Sequence, residues 1–500
     1  MIRNRLLLLV FFSLIICLLT LGAANAEEVE YNNCEIRVSG FDNYTKMFDS
    51  NRGTYVKAAL DSCITLESLE GINGIYIEFD LIPEEWLLTD STTGNSEVCG
   101  KYGFLHEYID VVDLFGEGKN ALDLEFPEGV TIADIYVFSE GELPEWVQKW
   151  NTPCEEADLM LISSHSDDEQ LFFAGVLPYY AIERKLEVQV VYIVQHFEVG
   201  GIRDHKRPHE QLDGLWTVGV RNYPVMSDFP DVYSESKNRE TAFAQAEKAF
   251  GTYGITYDDF CEYITGCIRR FKPLVIVSHD LNGEYGHGTH VFCASAVTEA
   301  VEYAGDSYKY PESCEEYGSW QVEKTYLHLY KENQIAIDWD TPYESMGGLT
   351  PFQITQKGFD CHKSQHYTWF NNWLNGNGSI TKASQIKYYS PCEYGLYRTT
   401  VGEDTQKNDF MENIIPYSQR KAEKTEEESK SEATHDTNLS DSDMGTKGLV
   451  VPKDSAGKTK SKANIKLIIT AVSFAVLFCV LIIVFAKVSV NNKMRRRRRR

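Results

Sequence analysis

From residue 158 to residue 304, short apolar runs alternate with longer stretches of helical spacing, and no other feature restricts the fold so strongly. Asp158-Leu-Met-Leu-Ile-Ser-Ser, Glu187 to Gln195 and Pro273-Leu-Val-Ile-Val-Ser are dominated by apolar residues, as expected of strands covered on both faces. Helical spacing is found at Gln170 to Lys185, Pro208 to Val218, Asn238 to Phe250, Asp258 to Arg270 and Gly288 to Ala304. Strands that alternate with helices predict an α/β domain with a mainly parallel sheet and crossover connections. Ligands in such sheets sit beyond the carboxyl ends of strands. The segments that follow residues 164 and 278 are therefore where chemistry is expected.

Upstream, residues 27–150 carry short alternating runs such as Gly74-Ile-Tyr-Ile-Glu-Phe, separated by turn-forming clusters. This spacing predicts a small β-sandwich-like domain. Trp86, Tyr102 and Trp146 are candidates for stacking on sugar rings, although aromatics in such domains are more often core. Downstream, residues 320–405 return to aromatic, extended segments and complete a catalytic domain expected over 155–410. After Tyr417 polar and charged residues dominate, which predicts a disordered stalk over 417–464.

Both termini read as segments outside the fold. Arg3 and Arg5 precede the apolar run Leu6 to Leu21 and Ala24-Asn25-Ala26, the pattern of a signal peptide over residues 1–26. Residues 467–486 form an uncharged stretch long enough for a transmembrane helix, and Arg495 to Arg500 fall in the basic tail 487–500. The expectation is a single-pass protein of the cell membrane, its bulk extracellular and its tail cytoplasmic.

The formal charge of −26 argues against nucleic acid as a partner. Eleven basic groups and no acid lie in residues 1–26 and 465–500, so the remainder stands at −37. Such a surface suits a neutral glycan better than a phosphate-rich one. Ten cysteines lie outside the two apolar ends, an even number that permits disulfides in an exported protein. No protein partner can be inferred.

Seven of the twelve histidines fall between 165 and 290, and two groups follow predicted strands. The first is His165-Ser166-Asp167-Asp168-Glu169. The second runs from His279 through Gly286-His287-Gly-Thr-His290. His165 and Asp168, three apart where a strand turns into a helix, can share a divalent cation, with Asp167 adjacent. His287 and His290, three apart at a helix start, face one side. Two nitrogens and one oxygen with open positions would be the layout of a catalytic zinc site.

These motifs, with Arg207-Pro-His-Glu210 opening a helix, resemble the PIG-L (LmbE-like) zinc-dependent deacetylases. Ser166 stands where that family's first motif usually has Pro. The resemblance covers about 155 to 370 and implies a Rossmann-like catalytic domain. It implies one zinc per chain on His165, Asp168 and His290, with Asp167 as general base and a protonated His287 stabilising the tetrahedral intermediate. Arg207, Glu210 and His362 match positions of possible substrate contact, and His362 and Gln365 look like a distal family segment.

The activity expected is removal of the acetyl group from N-acetylglucosamine in glycans or glycoconjugates. Hydrolysis of an amide needs an activated water, a polarised carbonyl and a proton for the leaving nitrogen. The competing readings are a catalytically idle surface glycan-binding or adhesion protein, and another metal hydrolase such as an O-acetyl esterase.

Overall fold

The computed structural model describes residues 34–194, 198–199 and 202–425. Two antiparallel sheets come first. One has five strands in the order Glu35–Ser39, Ser62–Ile72, Lys119–Phe126, Trp86–Asp90 and Ser96–Cys99. The other has four, Val56–Ala58, Val130–Phe138, Gly74–Phe79 and His106–Asp110. Alternation along Ser62–Ile72 turns Ile64 and Leu66 inward, where they meet Ile75, Ile77, Ile132 and Ile135 of the four-stranded sheet. The two central strands of that second sheet, Gly74–Phe79 and Val130–Phe138, are buried on both faces. Trp86 is core at 1% exposure, whereas Tyr102 and Trp146 reach solvent.

The remaining chain builds a seven-stranded sheet in the order Val225–Phe229, Val188–Val194, Leu159–Ser163, Val275–Ser278, Lys324–His328, Glu393–Thr399 and Gln334–Ala336. The first five strands run parallel, and the last two pairings are antiparallel. Leu159–Ser163 pairs with the next strand in the chain on one side and with Val275–Ser278 on the other. The crossovers therefore diverge at its carboxyl end, which opens a crevice there. The fold is mixed α/β, and the described residues all fall within one compact unit.

Helices match the expected spacing at Arg207–Thr217, Arg239–Gly251, Tyr257–Phe271 and Gly288–Tyr303. The stretch expected as one helix from Gln170 to Lys185 is instead broken into Asp168–Leu171, Val176–Pro178 and a π-helical turn, Tyr179–Glu183. The cause is Gly175, at φ 94°, where a Cβ would lie 2.4 Å from Trp339 Cγ. Close approach of that buried indole requires a residue without a side chain.

Three expectations change. Residues 417–425, the start of the expected disordered stalk, are helical. Tyr417 is buried, its hydroxyl donating to Lys272 O at 2.7 Å, and Arg420 pairs with Glu323, so this segment has a packed face to fold against. The single-pass membrane location is corrected. Among the described residues no helix is long and apolar enough to cross a membrane. Gly288–Tyr303, a long helix of this domain, has 16 residues against the roughly 20 that a span needs. The stretch 467–486, like residues 1–26, the rest of the stalk and the basic tail, lies outside the described residues. Finally, Cys34, Cys63, Cys99, Cys154, Cys261, Cys267, Cys293, Cys314, Cys361 and Cys392 are all free thiols.

Candidate metal-dependent active site

Leu159–Ser163 ends against the crevice, and the chain turns sharply through Ser166 and Asp167 into a short helix. Asp167 sits at φ 141°, a strained backbone position for a residue with a side chain. Arg207 holds this turn from the adjacent helix: its Nε donates to Ser166 Oγ and its Nη2 to Ser166 O, both at 3.3 Å. The same guanidinium lies 3.8 Å from Asp167 Oδ1. A serine here thus adds an acceptor where a proline would add stiffness.

Three donor atoms converge in the crevice. His165 Nδ1 is 2.8 Å from Asp168 Oδ2, His290 Nε2 is 3.1 Å from the same oxygen, and the two nitrogens are 2.9 Å apart. His165 follows the first strand of the domain, and His290 lies in the first turn of Gly288–Tyr303, which follows Val275–Ser278. The outer nitrogens are anchored by carboxylates. His290 Nδ1 is 2.7 Å from Glu284 Oε2, and His165 Nε2 is 2.9 Å from Asp231 Oδ1. A histidine that donates outward presents a lone pair inward, the usual support of a metal-ligating imidazole.

His279 looks like a further ligand but is otherwise engaged. Its Nε2 accepts from Ser164 N at 2.8 Å, and its Nδ1 faces Glu284 Oε2 at 2.8 Å. Glu284 also meets His328 Nδ1 at 2.7 Å, so one buried carboxylate orders three imidazoles. His287 stands beside the cluster, with its ring 4.6 Å from that of His165 and its Nε2 3.7 Å from Asp231 Oδ1. Its Nδ1 is buried and has no partner among the described residues.

Electrostatics separates these groups. Burial pushes Asp167 up to about 6, against the pull of Arg207. Burial also opposes ionisation of Asp168, but His290 and His165 outweigh it and hold that carboxyl well below the usual range. Burial likewise works against Glu284, and its histidine partners hold it well below the carboxylate range. His287 is driven well below the ordinary imidazole value by burial and then by His165 and His290. Burial of the ring works against the protonated His287 expected from the family resemblance.

The remaining expected positions make contacts within the protein. Glu210 accepts from Ser364 N at 2.9 Å and from Ser364 Oγ at 2.5 Å. His362, expected near substrate, is 0% exposed, with Nε2 3.3 Å from Glu169 Oε1. Gln365, three residues on, is buried as well. His209, in the Arg207 motif, faces the other way, with Nδ1 2.7 Å from His106 Nε2 of the four-stranded sheet.

Sequence reading missed Asp231 and Glu284. Asp231 follows Val225–Phe229, a strand with no clear apolar run, so its place at a carboxyl strand end was not visible. Glu284 lies within the segment from His279 to His290, and its place among the three histidines of that segment was the available signal.

Residues 160–301 match the PIG-L family model, described as GlcNAc-PI de-N-acetylase, and this part of the chain is a PIG-L domain. A Rhodococcus jostii protein named 1D-myo-inositol 2-acetamido-2-deoxy-alpha-D-glucopyranoside deacetylase is 29% identical over 185 residues, which are 34% of this chain. The chain spans 61% of that relative's own length. A mycothiol S-conjugate amidase of Streptomyces coelicolor is 45% identical over 62 residues, covering 12% of this chain and 20% of the relative. Among solved structures, an N,N'-diacetylchitobiose deacetylase from Pyrococcus horikoshii aligns with 50% of this chain and 86% of its own, at 14% identity and a TM-score of 0.32.

Proposed function

We propose that this chain is a zinc-dependent N-deacetylase acting on the acetamide of N-acetylglucosamine units in glycans or glycoconjugates. The observation that carries the reading is the triangle of His165 Nδ1, Asp168 Oδ2 and His290 Nε2, with edges of 2.8 to 3.1 Å. The donor set fits a metal on its own chemistry. When His290 donates to Glu284, its inward lone pair faces a carboxylate oxygen, and two acceptors at that distance need a cation or a proton between them. Two histidines, each steadied from behind, and one carboxylate make a catalytic rather than a closed structural set.

Zinc held by His165, Asp168 and His290 would supply Lewis acidity for the acetamide carbonyl and make water more acidic. Asp167 takes a proton from the attacking water at its carboxylate and returns one to the leaving nitrogen. A value near 6 suits both tasks, since the group is ionised at neutral pH and remains a usable acid. Arg207, through Ser166, fixes the turn that aims Asp167. His287 in its neutral form donates one N–H to the carbonyl oxygen as charge develops there. Glu210 and His362 hold the floor of the site through Ser364 and Glu169.

The test is acetate release by the full chain from N-acetylglucosamine, its oligomers and lipid-linked analogues. Activity should disappear with a chelator and return with added zinc. Acetate release that survives complete metal removal would overturn the reading.

A further inference from the structure

We infer that the mouth of this site is an aromatic platform for sugar rings flanking the one that reacts, so that the substrate is an oligomeric glycan rather than a single glycoside. The inference rests on the proposed deacetylase activity and narrows its substrate class.

Exposed aromatics are concentrated here. Four of the seven described tyrosines and tryptophans that are more than half exposed are Tyr233, Tyr367, Trp369 and Tyr388, at 72%, 86%, 51% and 81%. Tyr233 and Trp369 are tied by ring contacts to the metal-site residues or their neighbours, and Tyr367 and Tyr388 lie on the chain beside Trp369 and Tyr389. The Tyr233 ring is 4.5 Å from that of His287, and Tyr367 stands two residues before Trp369 in the chain. Trp369 lies 4.0 Å from Phe370 and 6.2 Å from Tyr285, whose own ring is 5.6 Å from His290. Tyr388 O accepts from Trp373 Nε1 at 3.1 Å, and the adjoining Tyr389 is 6.4 Å from Tyr285.

The platform has a rigid base. Phe172, fully buried beside His290 at 5.6 Å, contacts Phe370 at 5.8 Å and Trp373 at 5.7 Å. Trp369, packed on Phe370 at 4.0 Å and on Trp373 at 6.2 Å, is thus held at a set position, so stacking a ligand on it orders little that was free. Three of the four lie on 367–388, beyond the residues 160–301 that the family model matches.

The chemistry of the rim selects sugar over lipid or an apolar protein face. A lipid chain or protein partner would be met by exposed Leu, Ile or Val, and none of the large exposed aliphatics falls between 230 and 390. Three of the four rim residues are tyrosines, which offer a ring face to the C–H side of a pyranose and a hydroxyl to its polar edge. Contact between Tyr233 and His287 makes the platform continuous with the reacting position.

The experiment compares kcat/KM of the full chain on N-acetylglucosamine and on its β-1,4-linked tetramer, for the native protein and for Trp369→Ala, Tyr233→Ala and Trp369→Phe. The native ratio of tetramer to monomer should exceed ten. Trp369→Ala should lower that ratio about tenfold, mainly through KM, and Trp369→Phe should restore most of it. A native ratio near one, or alanine variants that keep the native ratio, would overturn the platform while leaving the deacetylase reading in place. If no acetate is released from either compound, the deacetylase reading fails. Quenching of tryptophan fluorescence by the tetramer, lost in Trp369→Ala, then decides the platform, and no quenching overturns it.

Discussion

Asp167 and Asp168 are adjacent and chemically identical, yet their surroundings drive them in opposite directions. Asp168 faces His165 and His290 and stays ionised, whereas Asp167 is desolvated in a strained turn and rises to about 6. Asp167→Asn should therefore retain metal, measured by elemental analysis, and lose at least about 100-fold in acetate release. Asp168→Asn should lose the metal, with activity partly recovered by excess zinc. The assignment fails if the two variants exchange these outcomes. Glu284 acts one step further out, because it orders His279, His290 and His328 without touching substrate. Glu284→Gln keeps the shape but offers only one acceptor oxygen to three imidazoles. Metal affinity should fall roughly 10- to 100-fold in a competition titration, and unchanged affinity would refute the role. At this scale the sequence displayed His165, Asp167, Asp168, His287 and His290, since each falls in a short motif after an apolar run. It did not display Asp231, because the contact with His165 joins residues distant in the chain.

Two helices that meet closely decide where His362 stands. Arg207–Thr217 and Pro351–Cys361 approach at Gly214, where a Cβ would lie 2.7 Å from His362 Nε2 and 3.3 Å from Gly358 O. Gly358 is equally confined, its Cβ position being 2.7 Å from Gln170 Oε1 and from Val218 Cγ1. Gly214→Ala should push the imidazole away from Glu169 and cost about 1–3 kcal/mol, read as a lower urea midpoint at unchanged slope. A midpoint equal to the native one would show that the crossing has room to spare. The helix Arg207–Thr217 was legible from periodicity, and so were the strands flanking the crevice. The broken segment after Asp168 was not, since its interruption answers to Trp339, a residue more than 160 positions along the chain.

Across the whole molecule, the four-stranded sheet is joined to the α/β part by a partly buried polar seam. Arg52 pairs with Glu78 of that sheet and with Asp213 of the helix Arg207–Thr217, while His106 meets His209. Asp134 lies in this region with Oδ1 accepting from Ser50 N at 3.0 Å and Oδ2 without a partner among the described residues. Burial, then Glu78, raises its carboxyl to about 7. A folded-state pKa above the unfolded value of about 3.9 means that the native protein prefers the neutral acid. The destabilisation is absent below about pH 4, grows as pH rises towards 7, and is complete above it. Asp134→Asn should accordingly stabilise the fold by at most about 3–4 kcal/mol at pH 8 and by much less at pH 4, measured by denaturant unfolding at both. Equal effects at the two pH values would show that the carboxyl titrates normally. The sequence by itself determined the class of sheet, the two motifs that end its central strands and the metal-ligand types they carry. Those follow from patterns within about a dozen residues, where apolar spacing and chain direction leave few alternatives. Only the tertiary structure decided which nitrogens point inward, which carboxylates stand behind them and which aromatics rim the mouth. Such choices depend on contacts between segments far apart in the chain, which burial and hydrogen bonding settle only once the chain has packed.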